Sequence, residues 1–105
     1  MKLREIMTSD PLILKSEHTI QEAAALFVQY RIDSAPVADA DGSLLGLFTN
    51  RHINRAVSQS LDLKAPVESL MNREVITGHP DDRVEDLVYY EQGQLPVMEN
   101  GSIAG

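Results

Sequence analysis

An internal repeat governs how this chain can fold, because two copies of one pattern must build similar cores from similar apolar positions. Ile6-Met7 returns as Leu70-Met71, sixty-four positions on, and the same spacing brings Ile20 onto Val84, Glu22 onto Asp86, Ala23 onto Leu87 and Ala24 onto Val88. The spacing then shortens. Pro36-Val37 returns as Pro96-Val97 after sixty positions, and Asp41-Gly42-Ser43-Leu44-Leu45-Gly46 as Asn100-Gly101-Ser102-Ile103-Ala104-Gly105 after fifty-nine. The four residues lost between the helical segment and the proline are about one turn at 3.6 residues per turn, a deletion that keeps an apolar stripe nearly in phase. The first repeat is thus expected over 1–62. A shortened second repeat follows over 63–105, lacking its last strand and helix.

Within the first copy, Pro11-Leu12-Ile13-Leu14 is an apolar run suited to a strand. Thr19-Ile20-Gln21-Glu22 has the spacing of a capping box and predicts a helix start. Ile20, Ala23, Ala24, Phe27 and Val28 follow the helical rule for one buried stripe. Ala35 to Ala38 and Leu44 to Phe48 read as a hairpin around Asp39-Ala40-Asp41-Gly42, with Gly42 free to take a positive φ. Thr49 or Asn50 is placed to cap a second helix that carries Ile53, Ala56 and Val57 on one side. In the second copy the counterparts are a strand at Val75-Ile76-Thr77, a helix from about Asp82 to Glu91, and strand residues Leu95-Pro96-Val97-Met98. The fold class expected is α+β.

Sixteen acidic residues against nine basic ones leave a net charge of −7, which disfavours a nucleic acid or an anionic membrane as partner, since both need a positive face. Cysteine is absent, so disulfides, thiolate catalysis and sulfur-ligated zinc are excluded together. No run approaches the roughly 20 apolar residues of a membrane span, and the start has no signal-peptide core, so a cytoplasmic protein is expected. His18, His52 and His79 stand in separate segments, and Asp39, Asp41, Asp81, Asp82 and Asp86 form no calcium loop, so no metal site is expected. No nucleophile motif or phosphate loop is present, and no enzymatic activity or catalytic residue is expected.

Ile6-Met7-Thr8 before Pro11, the Asp33-Ser34-Ala35-Pro36-Val37 segment, Asp41-Gly42-Ser43-Leu44-Leu45-Gly46-Leu47-Phe48-Thr49, and the second round of Leu70-Met71, Leu95-Pro96-Val97 and Asn100-Gly101 together resemble the CBS (cystathionine-β-synthase) domain. A tandem pair of these domains is called a Bateman module. The resemblance implies two pseudo-twofold related repeats, each a small sheet packed with two helices, that regulate an effector domain outside this chain and assemble as a homodimer. It also implies a cleft for an adenosine ligand such as AMP, ADP, ATP or S-adenosylmethionine.

On that resemblance, Thr8 and Pro11 lead into the strand whose backbone meets the base edge. Ala35-Pro36 or Leu95-Pro96 offers the purine an apolar wall, and Ser34 is a ligand-binding residue beside the first of these pairs. Thr49, Asn50 and Arg51 start a helix whose free N–H groups and positive charge suit a phosphate. Relatives commonly read Thr-x-x-Asp here, the aspartate accepting from ribose hydroxyls, whereas this chain reads Thr49-Asn50-Arg51-His52. A neutral imidazole accepts at one nitrogen only. Each residue also has an ordinary structural role: Thr49 as a helix cap, Arg51 as a solvated side chain, His52 as an exposed first-turn residue, and Pro36 and Pro96 at strand edges or first positions. A structural dimerisation module with no ligand is therefore the alternative. Because Ser102-Ile103-Ala104-Gly105 stops inside an expected strand, the natural protein is expected to continue beyond it.

Overall fold

Strand β1 (Leu14–Lys15), helix α1 (Ile20–Tyr30), the hairpin strands β2 (Ser34–Ala38) and β3 (Leu44–Thr49), and helix α2 (Asn50–Ser58) follow one another within the unit Leu12–Val75. β1 runs parallel to β2, and β3 runs antiparallel to β2, giving the sheet order β1-β2-β3. The computed structural model describes residues 2–5, 7, 11–75, 77–83, 96–99, 102–103 and 105. A second unit consists of Met1–Pro11 with Ile76–Gly105, in which β4 (Met98–Glu99) and β5 (Ser102–Ile103) pair antiparallel. The described elements make a mixed α and β fold, as the alternating patterns predict.

Helix α1 starts where the sequence places it. The Thr19 N–H donates to Glu22 Oε1 at 3.0 Å and the Glu22 N–H donates to Thr19 Oγ1 at 3.0 Å, so two orphan donors of the first turn are satisfied reciprocally. The helix ends at Arg31, which takes the left-handed conformation (φ 55°), and the Ile32 N–H returns to the Phe27 carbonyl at 3.0 Å. Ile20, Ala23 and Phe27 are buried, and large apolar side chains contribute about 1.5–3 kcal/mol each when fully buried. Val28, expected in that stripe, is instead 81% exposed. It follows Phe27 directly and so stands about 100° further around the axis. Val57, 61% exposed beside the buried Ala56, departs from its expected face for the same reason.

The hairpin turn is held by Asp39, whose Oδ1 accepts the N–H groups of Asp41 (2.9 Å) and Ser43 (3.0 Å), while Gly42 takes φ 83°. Pro36 does not occupy the first position of β2, as expected, but its middle. The sheet tolerates it because Leu47, opposite, sends both backbone groups elsewhere: its N–H donates to the Asn72 carbonyl (2.8 Å) and its carbonyl accepts the Asn72 N–H (2.9 Å). That crossing also explains Gly46. A Cβ there would stand 2.6 Å from the Asn72 oxygen and 2.9 Å from Met71 Sδ. The first strand is narrower than the expected Pro11 to Leu14 run and includes only Leu14 and Lys15.

The two repeats reappear as matching pairings. Leu14 pairs with Val37 in one unit, and their equivalents at the shifted spacing, Gly78 and Val97, bridge in the same parallel sense in the other. Ala38 opposite Leu44 is matched by Met98 opposite Ile103. The one-turn deletion between helix and proline therefore keeps the register of the pairs. The leading segments exchange places: Thr19 bridges to Pro66, whereas Arg83, its equivalent, bridges to Lys2, the equivalent of Pro66. Short 3₁₀ turns at Leu3–Glu5 and Val67–Ser69 occupy equivalent positions in these leaders. Division by packing consequently differs from the division by repeat at 62/63, because each leader packs with the body of the other copy. The expected strand at Val75-Ile76-Thr77 is not seen at Val75 or Thr77; the pairing falls at Gly78. Asp82 and Arg83, where a second-copy helix was expected to begin, are not helical. Its remaining residues 84–91 lie outside the described residues.

Candidate ligand site

Strand β3 runs straight into α2, so the N-terminus of the helix lies at the start of β2. Ser34 and Thr49 are paired across the two strands, and the first helical N–H, that of Asn50, donates to the Asp33 carbonyl at 2.8 Å. Of the residues proposed from sequence, the structure brings Ser34, Thr49, Asn50, Arg51 and His52 together here. Ala35 and Pro36 continue from them into the buried body of β2. Pro11 and Pro96 belong to the other unit, where the Pro96 carbonyl accepts the Gly78 N–H at 2.9 Å. Thr8 and Leu95 lie outside the described residues.

Thr49, not Asn50, is the N-cap of α2. Its backbone N–H donates to His52 Nδ1 at 3.0 Å, and its Oγ1 lies 3.1 Å from the same nitrogen. His52 thus fills the third helical position that a glutamate fills in α1. It is not the exposed first-turn residue expected from its polarity: it is half-buried, and its ring stacks on Phe48 with centroids 5.3 Å apart at 19°. Burial, then the charges of Arg55 and Arg51, hold its pKa below the ordinary histidine value. Because Nδ1 accepts an N–H, it carries no proton, and the neutral ring keeps its hydrogen on Nε2. The acceptor nitrogen that would have met a ribose hydroxyl is already engaged by the helix.

Ser34 is 7% exposed, and its Oγ has no hydrogen-bond partner among the described residues. An unmade bond on a buried hydroxyl costs about 1–3 kcal/mol. The chemistry on offer is a helix N-terminus, a buried hydroxyl and the exposed cation of Arg51, a set suited to a group rich in acceptors, phosphate above all. Phe48 and Asp33 belong to motifs read from the sequence but were not among the site residues proposed from it. Phe48 precedes the cap directly at the buried end of β3, which is the signal that could have found it. Among the described residues, no three of His, Asp and Glu are grouped to hold a metal ion, and no helix is long and apolar enough to cross a membrane.

The CBS domain model matches residues 3–59, more than half of the chain. The chain belongs to the CBS domain family. Its relatives include the CBS domain-containing protein YhcV of Bacillus subtilis, 30% identical over 108 residues that cover 98% of this chain and 76% of that protein. Among solved structures, the CBS domain pair of protein MJ0100, in complex with 5′-methylthioadenosine and S-adenosyl-L-methionine, covers all of this chain and 86% of that one at 27% identity and a TM-score of 0.88. The CBS domain protein PAE2072 of Pyrobaculum aerophilum, complexed with AMP, is 25% identical, with 98% and 83% covered and a TM-score of 0.88. These matches make the chain a tandem CBS pair. Some CBS relatives are much longer: the chain spans 19% of the L-aspartate semialdehyde sulfurtransferase of Methanocaldococcus jannaschii, to which it is 29% identical.

Proposed function

We propose that this CBS pair is a regulatory module without catalysis of its own, which takes an adenosine ligand at the start of β2 and α2 and acts on an effector domain outside this chain. The observation that carries this reading is the Ser34 hydroxyl, buried without a partner among the described residues beside the N-terminus of α2. A ligand oxygen reaching it would recover the cost of that unmade bond. The ligands of the MJ0100 and PAE2072 structures support adenosine as the common moiety. Calorimetric titration with AMP, ADP, ATP and S-adenosylmethionine at neutral pH tests the reading. Saturable heat is expected from at least one of them, weakened about two- to tenfold by Ser34→Ala, the range of a single hydrogen bond. No heat at millimolar concentration from any of the four would overturn it.

The exposed Val28, Tyr30 and Val57 on the two helices favour a second reading, a homodimer that buries this apolar surface on itself. Sedimentation at a single-chain mass of 11.6 kDa at high micromolar concentration would remove the dimer.

A further inference from the structure

We propose that His52 is a proton-operated latch on the N-terminus of α2: the neutral ring holds the Thr49 backbone N–H, and protonation of Nδ1 releases it. Both nitrogens of a charged imidazole are donors, so the 3.0 Å contact from Thr49 cannot survive as a hydrogen bond once Nδ1 carries a proton. Two further effects act in the same direction. The new charge would stand in the first turn of the helix, where the macrodipole is already positive. It would also join Arg51 and Arg55, whose charges disfavour it. β3 presents two uncharged groups to the imidazole, the Phe48 ring and the Thr49 hydroxyl, whose Oγ1 can accept from a protonated Nδ1 but cannot take the place of the Thr49 N–H bond, and Asp33 is the acidic residue at the adjoining start of β2. The latch follows from the hydrogen bond and the stacking in the free chain and does not rest on the ligand reading.

His18 and His79 also accept backbone N–H groups at Nδ1, from Lys15 (2.8 Å) and Asp81 (3.1 Å), but neither serves a helix cap. The Thr49 amide is therefore a reporter for His52 alone. Long-range proton–nitrogen correlation spectra of the free protein identify each ring's tautomer, and a pH titration follows the His52 ring and the Thr49 amide together. The expected result is the Nε2–H tautomer for His52 at neutral pH, with the Thr49 amide shifting at the same midpoint as the ring. In His52→Gln, which keeps an acceptor at that position without a titrating group, the amide shift is expected to stay flat over that interval. A proton on Nδ1 at neutral pH, or a Thr49 amide that stays still while the ring titrates, overturns the proposal in the native protein with no variant required.

Discussion

Helices α1 and α2 both begin at a threonine whose backbone N–H is caught by the side chain three residues on, by Glu22 Oε1 in one and His52 Nδ1 in the other, each at 3.0 Å. The geometry is shared, but the proton chemistry differs. The hydrogen bonds from Thr19, backbone first and side chain second, hold the Glu22 carboxyl below the usual carboxylate range. His52 is held below the ordinary histidine value by burial. In both cases the folded chain binds its proton less readily than the unfolded chain does, so stability falls as pH falls. For α2 the loss begins below about pH 6.5, the unfolded histidine value. For α1 it waits until the carboxylate range. One repeat thus contains a helix start that weak acid loosens beside one that it leaves alone.

The largest expected effect comes from the ring beneath the second cap. Phe48 is fully buried, stacks on His52 and stands 6.3 Å from Phe27. Phe48→Ala should cost about 3–5 kcal/mol in urea unfolding. It should also let His52 titrate nearer its ordinary value, which sharpens the contrast by showing that burial, more than the two arginines, sets it. A change at Gly46, away from both caps, should cost about 1–3 kcal/mol as Gly46→Ala, because the Asn72 carbonyl cannot recede without breaking its bond to Leu47. Thr19→Ala and Thr49→Ala should each cost about 1 kcal/mol at neutral pH. Equal losses that remained equal at pH 5 would break the comparison. Smallest in energy, within a few tenths of a kcal/mol at neutral pH, should be His52→Glu, which makes the second box chemically like the first. Its signature is in the pH profile of the melting temperature, where the acid response of α2 should move down into the carboxylate range.

Much of the first repeat could be read from its residues. Thr19 and Glu22 announce α1, Gly42 and Asp39 the turn, and the shortened spacing at Pro96 reappears as the pairing of Gly78 with Val97. The exchange of leading segments was not legible, because a repeat pattern says which residues are equivalent and not which copy each one packs against. The role of His52 was missed for a chemical reason. Its spacing from Thr49 is that of Glu22 from Thr19, but a glutamate or glutamine is the usual signal at that position and the imidazole drew attention as a ligand group. Ser34 was legible as a site residue from the family resemblance. Only the packing revealed that its hydroxyl is buried without a partner among the described residues.

The claim that the start of β2 and α2 forms the ligand site is tested most directly by mapping AMP onto the backbone amides of the protein at neutral pH. Saturable shifts are predicted at Ser34 and from Asn50 through Ile53, with smaller ones along the Asp39 to Ser43 turn at the far end of the hairpin. Saturation with those amides unmoved, or no shift anywhere at millimolar AMP, would contradict it.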